Sequence, residues 1–395
     1  MSTILSNFGK AFGDFLRESK KYGFIRVIPL LGIDSIIASS IALKLFGDNG
    51  YDTALSLKPY KEVNEPTLFI DLKPVKCNAP CLSIIYTSGE QGVGGEESKK
   101  IIYTDSSISA TLVKTMENYW IVESIEKVLA LVGGIERGRD QSREGFIGLE
   151  KEIVNELINS KNLIVDAGLR LWGWKRRTLI DMLSITYSPY IPGITGYKDR
   201  AYDLISRLGF KEPEKVTVGE LISDPKYIKD LVQEILSILK NMSKRTRSPM
   251  EILGRIYFTT LLGHEIDLMD LYGLYLTMLS LGGDALINLF YLPQDLILFE
   301  QLLYLYEKYI NDVVKEITEN IQTYIANNGL PYINAGIVKR PEVYLKILSE
   351  LGLLPQQPIK LMSKDGYLYT SYSEILRTNT EYERLLSEQL VLLKG

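Results

Sequence analysis

Two aspartates stand where a metal-dependent enzyme would need them. Phe24 to Leu31 is an apolar run that predicts a buried strand, and Asp34 follows it closely. Thr67 to Leu72 predicts a second strand, with Asp71 at its end. Because the carboxyl ends of parallel strands meet at one edge of a sheet, we expect both carboxylates in the same crevice. Two carboxylates alone predict at most a weak Mg²⁺ site.

The third predicted strand adds no ligand. Cys81 to Tyr86 is followed by Thr87 and Ser88, so the strand ends without a charged side chain. A two-metal phosphoesterase needs several Asp and His ligands at such strand ends. The chain has a single histidine, His264, which excludes most zinc sites and most His-based acid–base schemes. We therefore expect no metal site and no cofactor.

The elements that position these residues alternate between strand and helix. After the first strand, Gly32 makes a turn, and Asp34 or Ser35 is expected to cap the following helix. The small residues of this helix allow it to lie close to a sheet. The pattern predicts an α/β fold with an N-terminal doubly wound parallel sheet and a smaller C-terminal α/β domain.

The chain's 395 residues are enough for two domains. We predict an N-terminal domain over 1–210, a helical linker over 211–249 and a C-terminal domain over 250–395. Three further elements follow from local patterns: a turn over Val132 to Asp140, and helices over Met250 to Leu262 and Tyr382 to Leu393.

The net charge of −4 gives no overall attraction to nucleic acid, so a DNA contact needs a local basic patch. There is no secretory signal, and the longest uncharged run, Leu271 to Gly283, is too short to cross a bilayer. We expect a soluble, intracellular protein without membrane contact. Cys77 and Cys81 are expected to be two buried thiols, and a bridge between them requires a suitable turn.

The order of these elements resembles the DHH phosphoesterase superfamily, specifically the archaeal RecJ-like proteins of the branch related to the replication factor Cdc45. The similarity runs from about residue 22 to 325. It is clearest in five segments: GIDSIIASSIA, TLFIDL, ALVGGIERGRDQSREGFIGL, SPYIPGITGYKDRAYDLISRLGF and GGDALINLFYLPQDL.

The first motif of this family, His-x-Asp-x-Asp-Gly, is mostly lost. Its His falls at Leu30, its first Asp at Gly32 and its Gly at Ser35, whereas its second Asp is retained as Asp34. The second-motif Asp matches Asp71.

The later motifs are lost as well. The Asp-His-His signature falls at or near Tyr86, Thr87 and Ser88, and no histidine follows His264 to form the C-terminal Gly-Gly-His. The fourth-motif Asp falls on Glu136 or Arg137, depending on a one-residue shift.

The resemblance implies a non-catalytic subunit of the archaeal replicative helicase, associated with GINS and MCM as its eukaryotic relative is in the CMG helicase. Such a protein would be cytoplasmic and associated with the nucleoid. Two rivals stay open. One is an active exonuclease or nucleotide phosphodiesterase that uses the remnants Asp34, Asp71 and Glu136. The other is a protein adaptor that never touches DNA.

Three basic segments are candidates for single-stranded DNA contacts. Aromatic and basic residues alternate in the first, which could stack bases and pair phosphates: Trp174, Lys175, Arg176 and Arg177. The second is the densest basic stretch: Lys244, Arg245 and Arg247. The third lies where the family has its metal crevice: Arg137, Arg139 and Arg143. Each segment also has an alternative interpretation that involves no DNA. The first would contain buried tryptophans beside a solvated charged face, the second would be a solvated linker, and the third would form salt bridges within the segment.

Overall fold

The computed structural model describes residues 3–87, 100–242, 248–327, 329 and 332–393. Its N-terminal part is built on five parallel strands in the order β2-β1-β4-β6-β7. The elements of this part are α1 (Thr3–Ser19), β1 (Phe24–Pro29), α2 (Ile33–Asp48), β2 (Asp52–Leu55), β3 (Glu62–Val63), β4 (Thr67–Ile70), β5 (Lys76–Cys77), β6 (Cys81–Tyr86), β7 (Lys100–Thr104), α3 (Ile108–Met116), α4 (Ser124–Glu136) and α5 (Leu149–Asn159).

The two faces of this sheet are covered differently. Alternate strand residues such as Val27 and Leu68 share one large core with the helices, and α2 is buried on nearly all sides because small residues face its neighbours. The other face carries a small cluster around Ile28 and Phe69, beside the two-stranded sheet of β3 and β5.

A second core lies around a three-stranded antiparallel sheet with the order β10-β9-β8. Its elements are β8 (Ile164–Leu169), α6 (Leu179–Ile185), α7 (Lys198–Arg207), α8 (Val218–Ser223), α9 (Pro225–Met242), β9 (Leu253–Leu261) and β10 (His264–Asp267). Strand β8 pairs with β9, with Ile164 opposite Phe258, so hydrogen bonds join residues on either side of 211–249. The predicted domain limits stay a prediction.

The C-terminal part continues the first core. Helix α10 is almost wholly buried, and α12 packs along it through a stripe of apolar residues that repeats every three to four positions. A five-stranded sheet with the order β11-β12-β13-β15-β14 ends the chain. The elements are α10 (Leu268–Leu281), α11 (Gly283–Leu289), α12 (Ile297–Ala326), β11 (Ile333–Asn334), α13 (Pro341–Glu350), β12 (Leu361–Met362), β13 (Leu368–Ser371), α14 (Tyr372–Thr378), β14 (Tyr382–Leu385) and β15 (Leu390–Leu393).

The predicted mixed α/β class, with a parallel sheet and a smaller C-terminal sheet, is confirmed, but three local predictions are wrong. Met250 to Leu262 contains strand β9 instead of a helix, and Tyr382 to Leu393 contains the antiparallel pair β14 and β15. Short apolar runs do not distinguish helix from strand by periodicity. The predicted turn over Val132 to Asp140 begins only after Glu136, where α4 ends.

The expectation of two free thiols is also wrong, because Cys77 and Cys81 form a disulfide with Cα atoms 6.4 Å apart. The turn between β5 and β6 brings the two residues within the reach of such a bond. Within the described ranges, no helix combines the length and the apolar character that crossing a membrane requires.

Candidate functional site

The two aspartates meet where the strand order reverses. Strand β1 lies between β2 and β4, so the connections leaving β1 and β4 diverge and leave a crevice at their carboxyl ends. Asp34 lies in the first turn of α2, directly beyond β1. Asp71 follows β4 with a left-handed backbone (φ 58°), and its Oδ1 accepts a hydrogen bond from the Tyr86 N–H at 3.2 Å. The expectation of a shared crevice is thus confirmed.

Asp34 caps a different helix from the one predicted. Helix α2 begins after Gly32 without a side-chain cap, and the fully buried Asp34 carboxylate points at α3 instead. It accepts hydrogen bonds from the backbone N–H groups of Ile108 (2.9 Å) and Ser109 (3.0 Å), and from the Ser109 hydroxyl (2.7 Å). A carboxylate at the first turn of a helix satisfies N–H groups that otherwise have no partner. No local sequence signal indicates this pairing, which spans 74 residues.

Arg137 joins the two aspartates. Its Nε donates to Asp34 Oδ2 at 2.9 Å, and its Nη2 donates to Asp71 Oδ2 at 2.6 Å. The guanidinium lies over the Tyr86 ring, with its central carbon 4.4 Å from the ring centroid. One cation therefore bridges the ends of β1 and β4, and an aromatic ring covers it. Two retained motif residues and two that replace motif residues meet at this cluster, which we call the Arg137 bridge (Asp34, Asp71, Tyr86 and Arg137).

The ambiguity between Glu136 and Arg137 is resolved by their direction. Glu136 is the last residue of α4, and its Oε2 accepts hydrogen bonds from Tyr272 (2.7 Å) and Lys346 (2.8 Å) instead of joining the aspartates. Successive residues of a helix point about 100° apart, so only one of the two faces the aspartates. Gly133 lets α4 approach, because a Cβ there would collide with Ser109 Oγ and Asp34 Oδ1.

The electrostatics of the bridge favour an arginine that stays charged. Burial lowers the pKa of Arg137. The charges of Asp34 and Asp71 and their hydrogen bonds raise this pKa by more than burial lowers it, so that the net shift is upward. A guanidinium always carries its charge in proteins and offers no position for a water molecule to be activated.

The residues do not fit the metal pair that a DHH enzyme needs. Arg137 takes the oxygens of Asp34 and Asp71 that would face a cation, and Tyr86 stands where the Asp-His-His signature begins. In the described part of the chain, no group of three or more His, Cys, Asp or Glu residues could hold a metal ion.

The other two arginines of this segment do not join the bridge. Arg139 lies 3.5 Å from the buried carboxylate of Glu150, outside the segment where we expected its partner. Arg143 is exposed. Of the three, Arg143 is the one that the structure leaves open to an external phosphate.

The aromatic residue of the segment from Trp174 to Arg177 is turned inward. Trp174 is 8% exposed and packs against Phe258, so its ring has no free face for a base. The expectation of base stacking on Trp174 does not fit this burial.

The basic residues of that segment pair with acidic residues of β10, α10 and α12. Lys175 forms an ion pair with Glu265. Arg176 binds Asp270 and, at 3.0 Å, Glu307, which also accepts a hydrogen bond from Arg177 at 2.7 Å. The segment therefore joins the second core to α10 and α12. Lys244, Arg245 and Arg247 lie outside the described residues, and their role stays a prediction.

The fold and the bridge define a class of protein. A parallel sheet with Asp34 beyond β1 and Asp71 after β4, followed by a smaller C-terminal sheet, is the arrangement that the predicted resemblance implies. A sequence profile described as "Archaeal Cdc45" matches residues 94–373, which is more than half of the chain. The chain belongs to this family, and the predicted resemblance is confirmed. It is a RecJ-like protein of the replication-related Cdc45 type.

A solved structure of Cdc45 shares this fold. Cdc45 from Entamoeba histolytica is 10% identical in sequence and superposes with a TM-score of 0.60, over 98% of this chain and 95% of that one. RecJ from Thermus thermophilus, solved with Mn²⁺, is 10% identical, with a TM-score of 0.43 over 98% of this chain and 51% of that one. No curated protein sequence matches this chain significantly.

Proposed function

We propose that this protein is a non-catalytic RecJ-like subunit of the archaeal replicative helicase. In that role it binds GINS and MCM, supports DNA unwinding and contacts single-stranded DNA, in the cytoplasm at the nucleoid. Membership of the archaeal Cdc45 family supports the assignment to replication. The observation that carries the non-catalytic role is the Arg137 bridge.

The Arg137 bridge can hold the two carboxylates together as a metal ion would, but it cannot activate water. A pair of divalent cations neutralises the carboxylates, activates water and stabilises the charge that develops on the phosphate. Arg137 offsets one of the two negative charges of Asp34 and Asp71 and ties α4 to the ends of β1 and β4. It supplies neither a metal-bound hydroxide nor a vacant coordination position. The crevice thus keeps a cation between its two strand ends while the means of hydrolysis is missing.

The rival enzyme would use Asp34, Asp71 and Glu136, and the directions of these side chains oppose it. Two of them are bound to Arg137, whereas Glu136 faces Tyr272 and Lys346. A metal would have to displace Arg137 and draw Glu136 away from Tyr272 and Lys346. This geometry supports a scaffold over a reduced active site.

Reconstitution tests the partners. The tagged chain, purified with GINS and MCM from the same archaeon, is expected to elute with both and to increase strand separation by MCM. Asp34→Asn is a useful companion variant. If the protein is a scaffold, this substitution should reduce DNA unwinding only as far as the lower stability of the variant explains. Recovery of neither partner, from protein that is folded by circular dichroism, would contradict the proposal.

The DNA contact needs its own measurement. Binding of a labelled single strand should weaken steeply as salt rises, because cations are released from the phosphates. A chain that binds GINS and MCM but never binds a single strand would be the adaptor, and the DNA part of the proposal would be withdrawn.

A further inference from the structure

A cavity at the start of the C-terminal sheet has no part in the Arg137 bridge. It has a volume of about 410 Å³ and lies between the end of α12, strand β11 and the loop that leads to β12. The residues that give it chemical character are Tyr324, Tyr332, Gln356, Gln357 and Lys360. Its volume falls within the range of small-molecule sites in proteins.

The loop that forms one wall is held rigidly. Gln356 and Gln357 lie between Pro355 and Pro358, whose rings restrict the backbone. Arg377 of α14 donates to the carbonyl oxygens of Pro355 (2.8 Å) and Gln357 (3.1 Å).

Arg377 is itself held in place. It is bound by both oxygens of Glu374, a fully buried carboxylate that also accepts the Ile359 N–H at 2.9 Å. This ion pair, of which only Glu374 is buried, thus fixes the loop at three alternate residues. This support holds the backbone from which the exposed side chains of Gln356 and Gln357 project, which lowers the backbone entropy lost on binding.

The polar groups that line the cavity are not used internally. Neither side-chain amide of Gln356 and Gln357 makes a hydrogen bond to another described residue, and the Lys360 ammonium takes part in no ion pair there. Tyr332 is 38% exposed, although it is large and aromatic. Polar groups on a rigid wall beside an open aromatic ring are features of a site prepared for a ligand.

We infer that this cavity binds a nucleobase together with its phosphate. Tyrosine rings offer faces on which a base can stack, and a stacked base need not be of one type. The amides of Gln356 and Gln357 offer donors and acceptors to the edge of the base. The Lys360 ammonium is suited to the phosphate. The ligand is either one unit of a single strand or a free nucleotide, and the replication role proposed above favours the strand.

A proline-rich peptide is the other ligand that an aromatic groove suggests. Such a peptide needs flat aromatic walls, but it does not need two free amides and a cation. The observed set of side chains therefore favours the nucleobase.

Binding of nucleic acid to the full-length protein tests the inference. Fluorescence anisotropy with an oligothymidylate of about 15 nucleotides measures the strand, and calorimetry with thymidine monophosphate measures the free nucleotide. The variants are Tyr332→Ala and Lys360→Ala. Tyr367→Ala and Lys364→Ala are matched controls, because both residues are exposed, belong to the same sheet region and lie outside the cavity.

We expect Tyr332→Ala to weaken binding by about 5- to 150-fold, the loss of one stacked base. Lys360→Ala should reduce the slope of log K against log salt by about 0.7, the value for one phosphate on a single strand. The control variants should bind as the wild type does. If the variants bind the oligonucleotide less tightly than the wild type does, the ligand is a single strand. If they lose affinity for the mononucleotide alone, the ligand is a free nucleotide.

Three outcomes would overturn the inference: no binding of either probe, equal binding by variants and controls, or binding of a polyproline peptide that only Tyr332→Ala abolishes. None of these outcomes affects recovery of GINS and MCM, so failure of this site is distinguishable from failure of the proposed function.

Discussion

Replacing Arg137 should destabilise the fold, because Asp34 and Asp71 would then lie in the crevice without a cation. Removing one partner of a buried ion pair costs about 3–5 kcal/mol. Asp34 keeps three hydrogen bonds from α3, and the Asp71 side chain is 18% exposed, so water can reach it. We therefore expect Arg137→Ala to lower the free energy of unfolding by about 3 kcal/mol, the lower end of that range.

Differential scanning calorimetry measures this loss. With an unfolding entropy of about 2.1 cal/mol/K per residue, 3 kcal/mol corresponds to a fall in Tm of about 4 °C for 395 residues that unfold in one step. Arg143→Ala is the matched control, and as an exposed site it should change stability by less than about 0.5 kcal/mol. Equal Tm values for the two variants would refute the assignment of Arg137 as the ion that holds the crevice together.

The Arg137 bridge also predicts coupling between its members. Adding Asp71→Asn to Arg137→Ala removes one of the two facing carboxylates. The double variant should therefore be more stable than the sum of the single losses by at least about 0.5 kcal/mol. Strict additivity, measured in the same calorimeter, would mean that Arg137 and Asp71 do not interact in solution.

Three further predictions concern other parts of the fold. Replacing Cys77 and Cys81 by Ser should lower the free energy of unfolding by about 2 kcal/mol, the chain-entropy value for so short a loop. In denaturant without a reductant, neither cysteine of the wild type should react with iodoacetamide, as measured by mass spectrometry. Gly133→Ala should cost about 1–3 kcal/mol in thermal unfolding, because its Cβ would collide with Ser109, and a neutral result would mean that α4 packs less closely. Burial, and then the charge of Asp270, raise the pKa of Asp267 to about 8 in the folded protein. From about pH 4 to about pH 8 the unfolded chain loses this proton while the folded protein keeps it, so the free energy of unfolding should fall as the pH rises. The Tm of the wild type should accordingly fall relative to that of the Asp267→Asn variant over this range, and parallel Tm curves would contradict the raised pKa.

The sequence was informative wherever local signals sufficed. Pro225 at the first position of α9, and Gly282 directly after α10, mark helix ends by their own backbone preferences, and α9 lies within the predicted helical linker. Strand β9 was missed because Leu253–Leu261 is apolar on both faces, as a buried helix segment can be. Its strand conformation comes from pairing with β8, a partner almost ninety residues earlier.

The crevice was predictable in place but not in content. Strand ends located Asp34 and Asp71, and the lost motifs suggested that metal binding had gone. The role of Arg137 depends on where α4 ends and on the direction of the residue that follows. The sequence leaves a choice of one residue, between Glu136 and Arg137, and therefore does not identify the side chain that faces the aspartates. The interpretation of Trp174 failed for a similar reason. An aromatic and basic segment looks the same in sequence whether its partners are nucleotides or distant acids such as Asp270 and Glu307.

The most direct test of the central claim is a single-strand degradation assay in Mn²⁺ or Mg²⁺, with wild-type protein and Asp34→Ala protein side by side. Because Arg137 takes the oxygens that a cation would need, we expect the end-labelled strand to stay at full length with both proteins. Shortened product from the wild type that disappears with Asp34→Ala would show a working metal site. That result would contradict the non-catalytic role.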